Sequence, residues 1–160
     1  MPGYAKDTVD VNTSMDNLEN HIEAFPLKMK KLSDEELLSR QAGKWSKKEI
    51  LGHLIDSAIN NLKRFTDAQH SSLPYEVISY KQVELVSIND YQNLPLDHLL
   101  TLWQSLNRQI VYVVRNIDDE KLNFPVDPQY ENAELKTLSW IIVDYVAHME
   151  HHFKQIFQKE

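Results

Sequence analysis

Apolar residues recur at intervals of three and four along most of the chain, and strong strand runs are missing. That spacing gathers them on one face of an α-helix, and it predicts four long helices. The first runs from about Thr13 to Ala24, with Ile22 and Phe25 near its end. Pro26 interrupts it, because proline lacks the N–H that a helix interior uses, and "PLKMKKL" makes a further turn. A short helix follows at "SDEELLSR", where Ser33 and Glu36 have the spacing of a capping box. The second long helix opens on another such box, "SKKE" (Ser46 to Glu49), and carries Ile50, Leu51, Leu54, Ile55, Ala58, Ile59, Leu62 and Phe65. It should end near Gln69 or Ser71, ahead of Pro74. The third begins near Asp97 and carries Leu99, Trp103, Leu106, Ile110, Val113 and Ile117. The fourth begins near Thr137 and carries Leu138, Ile141, Ile142, Tyr145, Val146, Met149, Phe153, Ile156 and Phe157.

Polar connections broken by Pro74, Pro95, Pro125 and Pro128 separate these helices. They span about 25 residues between the second and third helices and about 20 between the third and fourth, whereas up-down-up-down bundles close with short loops. The expectation is therefore all-α: a four-helix bundle with long crossover connections. The stretch "YEVISYKQVELVSINDY" has room for a short helix of its own. A chain of 160 residues fits one domain, here 1–160, with 1–11 a loosely ordered N-terminal segment.

Charge and composition narrow the function classes. A net charge of −7 with no Lys/Arg block argues against a nucleic-acid partner. No apolar run approaches the roughly 18 residues of a membrane span, and "MPGYAKDTVD" lacks the apolar core of a signal peptide. A cytoplasmic protein without membrane or nucleic-acid partners is the simplest expectation. The chain has no cysteine, which removes disulfides, thiolate ligands and a cysteine nucleophile.

The candidate chemistry lies in the histidines, of which there are 7. In "YVAHMEHHFKQIF", His148, His151 and His152 fall on the fourth helix. Each residue advances about 100° around a helix axis, so with His148 at zero the apolar stripe centres near about 95°, His152 at about 40° and His151 at about 300°. His148 and His152 can face the interior together, and His151 points away beside Asp144. Two histidines four apart can hold one ion between them, or they can form the polar edge of a packed helix.

The second helix offers a third histidine. His53 lies about 150° from the centre of its helix's apolar stripe, on a side with Asp56, Ser57, Asn60 and Arg64. That side can be a plain solvated face. Yet solvated faces favour Glu and Lys, whereas Asp, Ser and Asn are poor helix formers. Gly52, a residue costing about 1 kcal/mol against alanine in a helix interior, suggests a place where another backbone comes close or a site needs room. His21, His70 and His98 have no spaced partners and are expected at the surface. A thermolysin-type pair would need Glu where Met149 stands, a di-iron bundle needs Glu-x-x-His on two helices, and no Walker A, dinucleotide fingerprint or nucleophile elbow occurs. A mononuclear, all-histidine site is what remains.

"WSKKEILGHLIDSAINNLKRF" (Trp45–Phe65) and the later "HMEHHFKQI" together resemble the DinB/YfiT-like superfamily, and within it the YfiT-like, bacillithiol-transferase-like branch. The pattern W-S-x-x-E-x-x-x-H-x-x-D-S-x-x-N-x-x-x-R-F is matched from Trp45 through Glu49, His53, Asp56, Ser57, Asn60 and Arg64 to Phe65. His148, His151 and His152 match H-x-x-H-H. The resemblance implies a four-helix bundle holding one divalent ion, nickel or zinc, through His53, His148 and His152, with His151 not a ligand. It also implies homodimerisation in many relatives, although no helix here advertises an unpaired apolar face. One departure is the loop "FPVDPQYENAELKT", which has prolines but no glycine where relatives often carry a Pro/Gly turn.

Three neutral imidazoles leave the ion's charge uncompensated and a coordination position open, the arrangement of catalytic sites. Such an ion acidifies a bound water, giving hydrolysis, or holds a low-molecular-weight thiol as thiolate for S-transfer to an electrophile. With no cysteine in the chain, any thiol arrives with the small-molecule substrate. Asn60 and Arg64 can bind an anionic group of that substrate, Arg64 bidentately, or Arg64 can pair with Asp67 or Asp56. Asp56 can orient a ligand histidine, or pair with Lys63 or Arg64. The competing expectations are a non-catalytic metal-binding or stress-response bundle, and a structural bundle without metal.

Overall fold

Local capping chemistry fixes most helix starts. Asp10 caps α1 (Val11–Met29) by accepting from Thr13 N–H at 2.8 Å. Ser33 caps α2 (Asp34–Leu38) in a complete capping box with Glu36, and Ser46 does the same with Glu49 for α3 (Lys47–Asp67). Arg40 clamps the Glu49 carboxylate, with Nε to Oε2 at 2.8 Å and Nη2 to Oε1 at 2.6 Å, so one acid both caps α3 and ties it to the preceding loop. After β1 (Tyr75–Glu76) come the short helix α4 (Gln82–Ile88) in the expected stretch, a 3₁₀ turn (Tyr91–Asn93), α5 (Leu96–Arg115) and α6 (Asp119–Leu122). Strands β2 (Pro125–Asp127) and β3 (Lys136–Thr137) lead into α7 (Leu138–Phe157), capped by Thr137. The computed structural model describes residues 3–5, 9–130 and 134–158.

Four expectations are corrected. First, Pro26 does not interrupt α1, which runs through it to Met29. Proline at this position strips Ile22 C=O of its helical donor, and Gln104 Nε2 from α5 supplies a replacement at 2.9 Å. Second, α3 stops at Asp67, short of Gln69. Third, a small sheet exists in order β1-β2-β3, with Tyr75 paired parallel to Val126 and Pro125 antiparallel to Thr137. Fourth, Ile59 leaves the core, being 47% exposed. As for 1–11, part of it lies outside the described residues, but Gly3–Ala5 is held: Gly3 sits on the Trp140 ring, and the backbone N–H groups of Tyr4 and Ala5 both donate to Asp144 Oδ1.

The long helices are arranged so that α1 and α3 each pack on both α5 and α7. The successive long helices α1 and α3 therefore occupy opposite corners, as do α5 and α7. Crossing a bundle diagonally takes a long connection, which accounts for the length of the α5–α7 segment. The sheet ties that segment to the α3–α5 connection, with Val126 fully buried at its centre. Phe25, Phe65, Trp103, Ile110 and Met149 fill the bundle interior. Among the described residues, no helix is long and apolar enough to cross a membrane.

Candidate metal centre

His53 on α3 meets His148 and His152 on α7. One ring nitrogen of each lies within 4.8 Å of the others. Nε2 of His148 is 3.4 Å from Nε2 of His53 and 3.0 Å from Nε2 of His152. Nitrogens bound tetrahedrally to one ion at about 2.0–2.1 Å lie about 3.3–3.4 Å apart, so the three imidazoles fit a divalent ion with little movement. Among the described residues, this is the cluster with metal-binding geometry.

Burial sets their charge state. His53 is 1% exposed. Loss of hydration, then the neighbouring His152, pulls its pKa down to about 4. His148 falls to about 3, through burial first and then the charges of His152, His53, His151 and Arg64. Burial lowers His152 as well, against its hydrogen bond to Gln155 Oε1, which raises it. All three rings are thus neutral near pH 7, the form that ligates a metal.

Their orientations have different causes. His152 Nδ1 donates to Gln155 Oε1 at 2.8 Å, which leaves the Nε2 lone pair facing the cluster. Gln155 Nε2 in turn bonds His151 Nε2 at 3.1 Å. His151 is outside the cluster, its ring against Tyr4 at 5.0 Å, and it acts on His152 through Gln155. His53 is oriented by packing: the Trp45 ring lies 5.1 Å from it at 35°, and its buried Nδ1 has no hydrogen-bond partner.

Asp56, expected to orient a histidine or to pair with Lys63 or Arg64, is engaged elsewhere. Its Oδ1 accepts from Tyr91 O–H at 2.6 Å and from Asn89 Nδ2 at 3.0 Å, and its buried Oδ2 has no partner. Burial holds this carboxyl above the usual range. Gly52 explains how Tyr91 gets there, since the Tyr91 ring packs directly on the Gly52 backbone where any side chain would collide. The polar face of α3 is accordingly a buried face, with His53, Asp56 and Ser57 all inside.

A cavity of about 250 Å³ opens beside His148. Arg64, Asn61, Ser57 and Tyr80 give it polar walls, while Trp140, Ile141 and Tyr145 give it apolar ones. Asn61 lines the cavity in place of Asn60, whose amide donates to Asp56 C=O at 2.8 Å. Counted around the helix, Asn61 and Arg64 fall within about 40° of Ser57, and Asn60 about 60° away on the side of His53. Arg64 pairs with neither Asp67 nor Asp56. Its Nη2 donates to Ile78 C=O at 2.8 Å, and Asp67 is taken by Lys63 at 2.6 Å. Gln129, with φ 58, supplies the left-handed turn that the glycine-free loop needs, next to the cavity-lining Pro128 and Tyr130. His70 and His98 are exposed as expected, but His21 is half-buried and bonds Glu150 Oε1 at 2.9 Å. Tyr91, Asn89 and Gln155 were illegible in the sequence, because each acts across a fold-dependent contact.

The fold recurs in solved structures. YfiT from Bacillus subtilis, described as "a probable metal-dependent hydrolase with an unusual four-helix bundle topology", aligns with TM-score 0.77 and 22% identity over 94% of this chain and 87% of its own. A Streptococcus pneumoniae protein aligns with TM-score 0.69 and 16% identity, over 95% of this chain and 91% of that one. The mycothiol-dependent maleylpyruvate isomerase aligns with TM-score 0.67 and 12% identity, over 96% of this chain but 62% of its own. At these identities the likeness is one of fold. No curated protein matches the sequence. The DinB superfamily model, however, matches residues 17–156, and the chain belongs to the DinB superfamily.

Proposed function

We propose that the protein is a metal-dependent enzyme in which His53, His148 and His152 hold one divalent ion, nickel or zinc, beside a small-molecule cavity. The observation that carries this reading is the convergence of three neutral imidazoles, His53 buried and His148 and His152 half-buried, with no carboxylate among them. An ion held by such a set keeps its positive charge and an open position, and so supplies a nucleophile at neutral pH from water or from a thiol. Hydrolysis is supported by the likeness to YfiT, and use of a low-molecular-weight thiol by the likeness to a mycothiol-dependent enzyme. The chain has no cysteine, so the thiol comes with the substrate.

The protein's own residues have separable tasks in this reading. Gln155 holds the His152 ring, and Trp45 backs His53. Asp56 anchors the Tyr91 turn against α3 and so fixes the helix segment that carries His53. Among the described residues lining the cavity, Asp144 is the one carboxylate, and it is occupied by the backbone of Tyr4 and Ala5. Arg64 faces the substrate.

The test is turnover by zinc- or nickel-loaded protein against two panels: activated esters, and monochlorobimane with several small thiols. One panel should show turnover that EDTA abolishes and that His148→Ala lacks. Turnover indifferent to chelation, or none in either panel from protein shown to contain metal, contradicts the proposal.

A further inference from the structure

Arg64 is a half-buried cation, and no counterion for it stands among the described residues. Its Nη2 is bound to a neutral carbonyl, Ile78 C=O at 2.8 Å, and its Nη1 reaches only Asn61 Oδ1 at 3.4 Å. Its Nε, sealed from water, has no acceptor. The Tyr80 ring, 5.5 Å away, offers the weak compensation of an aromatic face. No described carboxylate pairs with it: Asp67 is held by Lys63, Asp56 by Tyr91 and Asn89, and Asp144 by the N-terminal backbone. Burial accordingly weakens the guanidinium's hold on its proton. An ionised group removed from water is costly unless paired, and a fold that keeps one unpaired on a cavity wall leaves the pairing to a ligand.

We propose that this cavity is a carboxylate subsite: Arg64 receives the acid group of a small molecule whose apolar or aromatic body lies against Ile141, Tyr145 and Trp140. The volume, about 250 Å³, suits a small acid rather than a large conjugate. Its remaining guanidinium N–H groups form a planar fork, which matches a carboxylate edge. Ser57, Asn61 and Tyr80 add neutral hydrogen-bonding groups to its wall, and His148 of the histidine cluster lines the same cavity. The ligand's acid group is thus held in the cavity that also meets the site of chemistry. This assignment rests on the proposed function only for the fate of the ligand. The binding itself needs no metal.

The test uses the full chain, zinc-loaded and EDTA-treated in parallel, with sodium benzoate as probe, benzamide as its uncharged counterpart and inorganic phosphate as the alternative anion. Binding is read from the ¹H–¹⁵N signals of Arg64 Nε–H and the Trp140 indole. Benzoate should move both signals saturably in both preparations, with benzamide and phosphate at least about tenfold weaker, since a hydrogen bond to a charged group contributes about 1.5–3 kcal/mol. Arg64→Gln should remove benzoate binding. Should that variant fail to fold, Asn61→Asp gives Arg64 an internal counterion and should remove it equally. Equal binding of benzoate and benzamide, tighter binding of phosphate, undiminished benzoate binding by a folded variant, or no saturation across the millimolar range would overturn the assignment. Benzoate binding only in the zinc-loaded protein would also overturn it, by placing the acid on the metal. Failure to take up zinc with benzoate still bound to Arg64 would sink the metal reading and leave this one standing.

Discussion

Gly52→Ala is a substitution that helix propensity alone would call stabilising, by about 1 kcal/mol. The structure reverses the sign. A methyl group on Gly52 would lie 2.6 Å from Tyr91 Cβ and closer still to the ring carbons Cγ and Cδ2, against the roughly 3.5–4.0 Å of carbon–carbon contact. Because Cβ and Cγ are among the atoms struck, turning the ring cannot relieve the clash, and the whole 3₁₀ turn that carries Tyr91 must retreat. Tyr91 is 5% exposed, and its hydroxyl is held 2.6 Å from Asp56 Oδ1. Overpacking costs about 1–3 kcal/mol, and the loss of a hydrogen bond on a buried carboxyl about 1.5–3 kcal/mol. Net of the propensity gain, the variant should be less stable by about 2–5 kcal/mol, a fall in Tm of roughly 5–15 °C for a chain of this size. Thermal and urea unfolding followed by circular dichroism measure it. The sharper version is a cycle with Tyr91→Ala, in which Gly52→Ala should become neutral or stabilising by up to about 1 kcal/mol. If Gly52→Ala matches the wild type in stability, or costs the same in both backgrounds, the reasoning fails.

Two further outcomes follow from particular contacts. Gln104→Ala should cost about 1–3 kcal/mol in urea unfolding, because it orphans Ile22 C=O; adding Pro26→Ala, which restores the helical N–H, should shrink that cost. The metal-free protein should lose stability as pH falls from about 7 to about 5.5, since the unfolded histidines take up protons there while His53 and His148, held down to about 4 and about 3, do not. The slope should be about 1–3 kcal/mol per pH unit from these rings. Burial raises Asp56 and Asp144, which oppose the trend once the pH approaches the carboxyl range. A flat stability profile from pH 7 to 5.5 would contradict the buried, neutral cluster.

What was legible in the sequence is what local chemistry decides. Ser33 with Glu36, and Ser46 with Glu49, announce their helix starts because a capping box involves neighbours only. His151 separates from His148 and His152 by angle on a single helix, and the odd composition around His53 marks a buried polar face. Other features depend on distant partners. The helix survives Pro26 because of Gln104, 82 positions away. The strands are two or three residues long, too short for alternation to show. Asp56 turned to Tyr91 rather than to a histidine because of a turn that no periodicity marks. Asn60 and Asn61 differ by about 100° around α3, a distinction that matters only once the neighbouring wall is known.

The central claim is that three histidines from two helices form one metal site. It is tested most directly by metal analysis of tag-free protein after nickel or zinc loading and gel filtration, with His53→Ala and His152→Ala beside the wild type. The wild type should carry about one ion per chain, and each variant should lose most of it, as the removal of one of three ligands requires. A folded wild type that retains no stoichiometric ion, or a His53→Ala protein that retains as much as the wild type, would contradict the account.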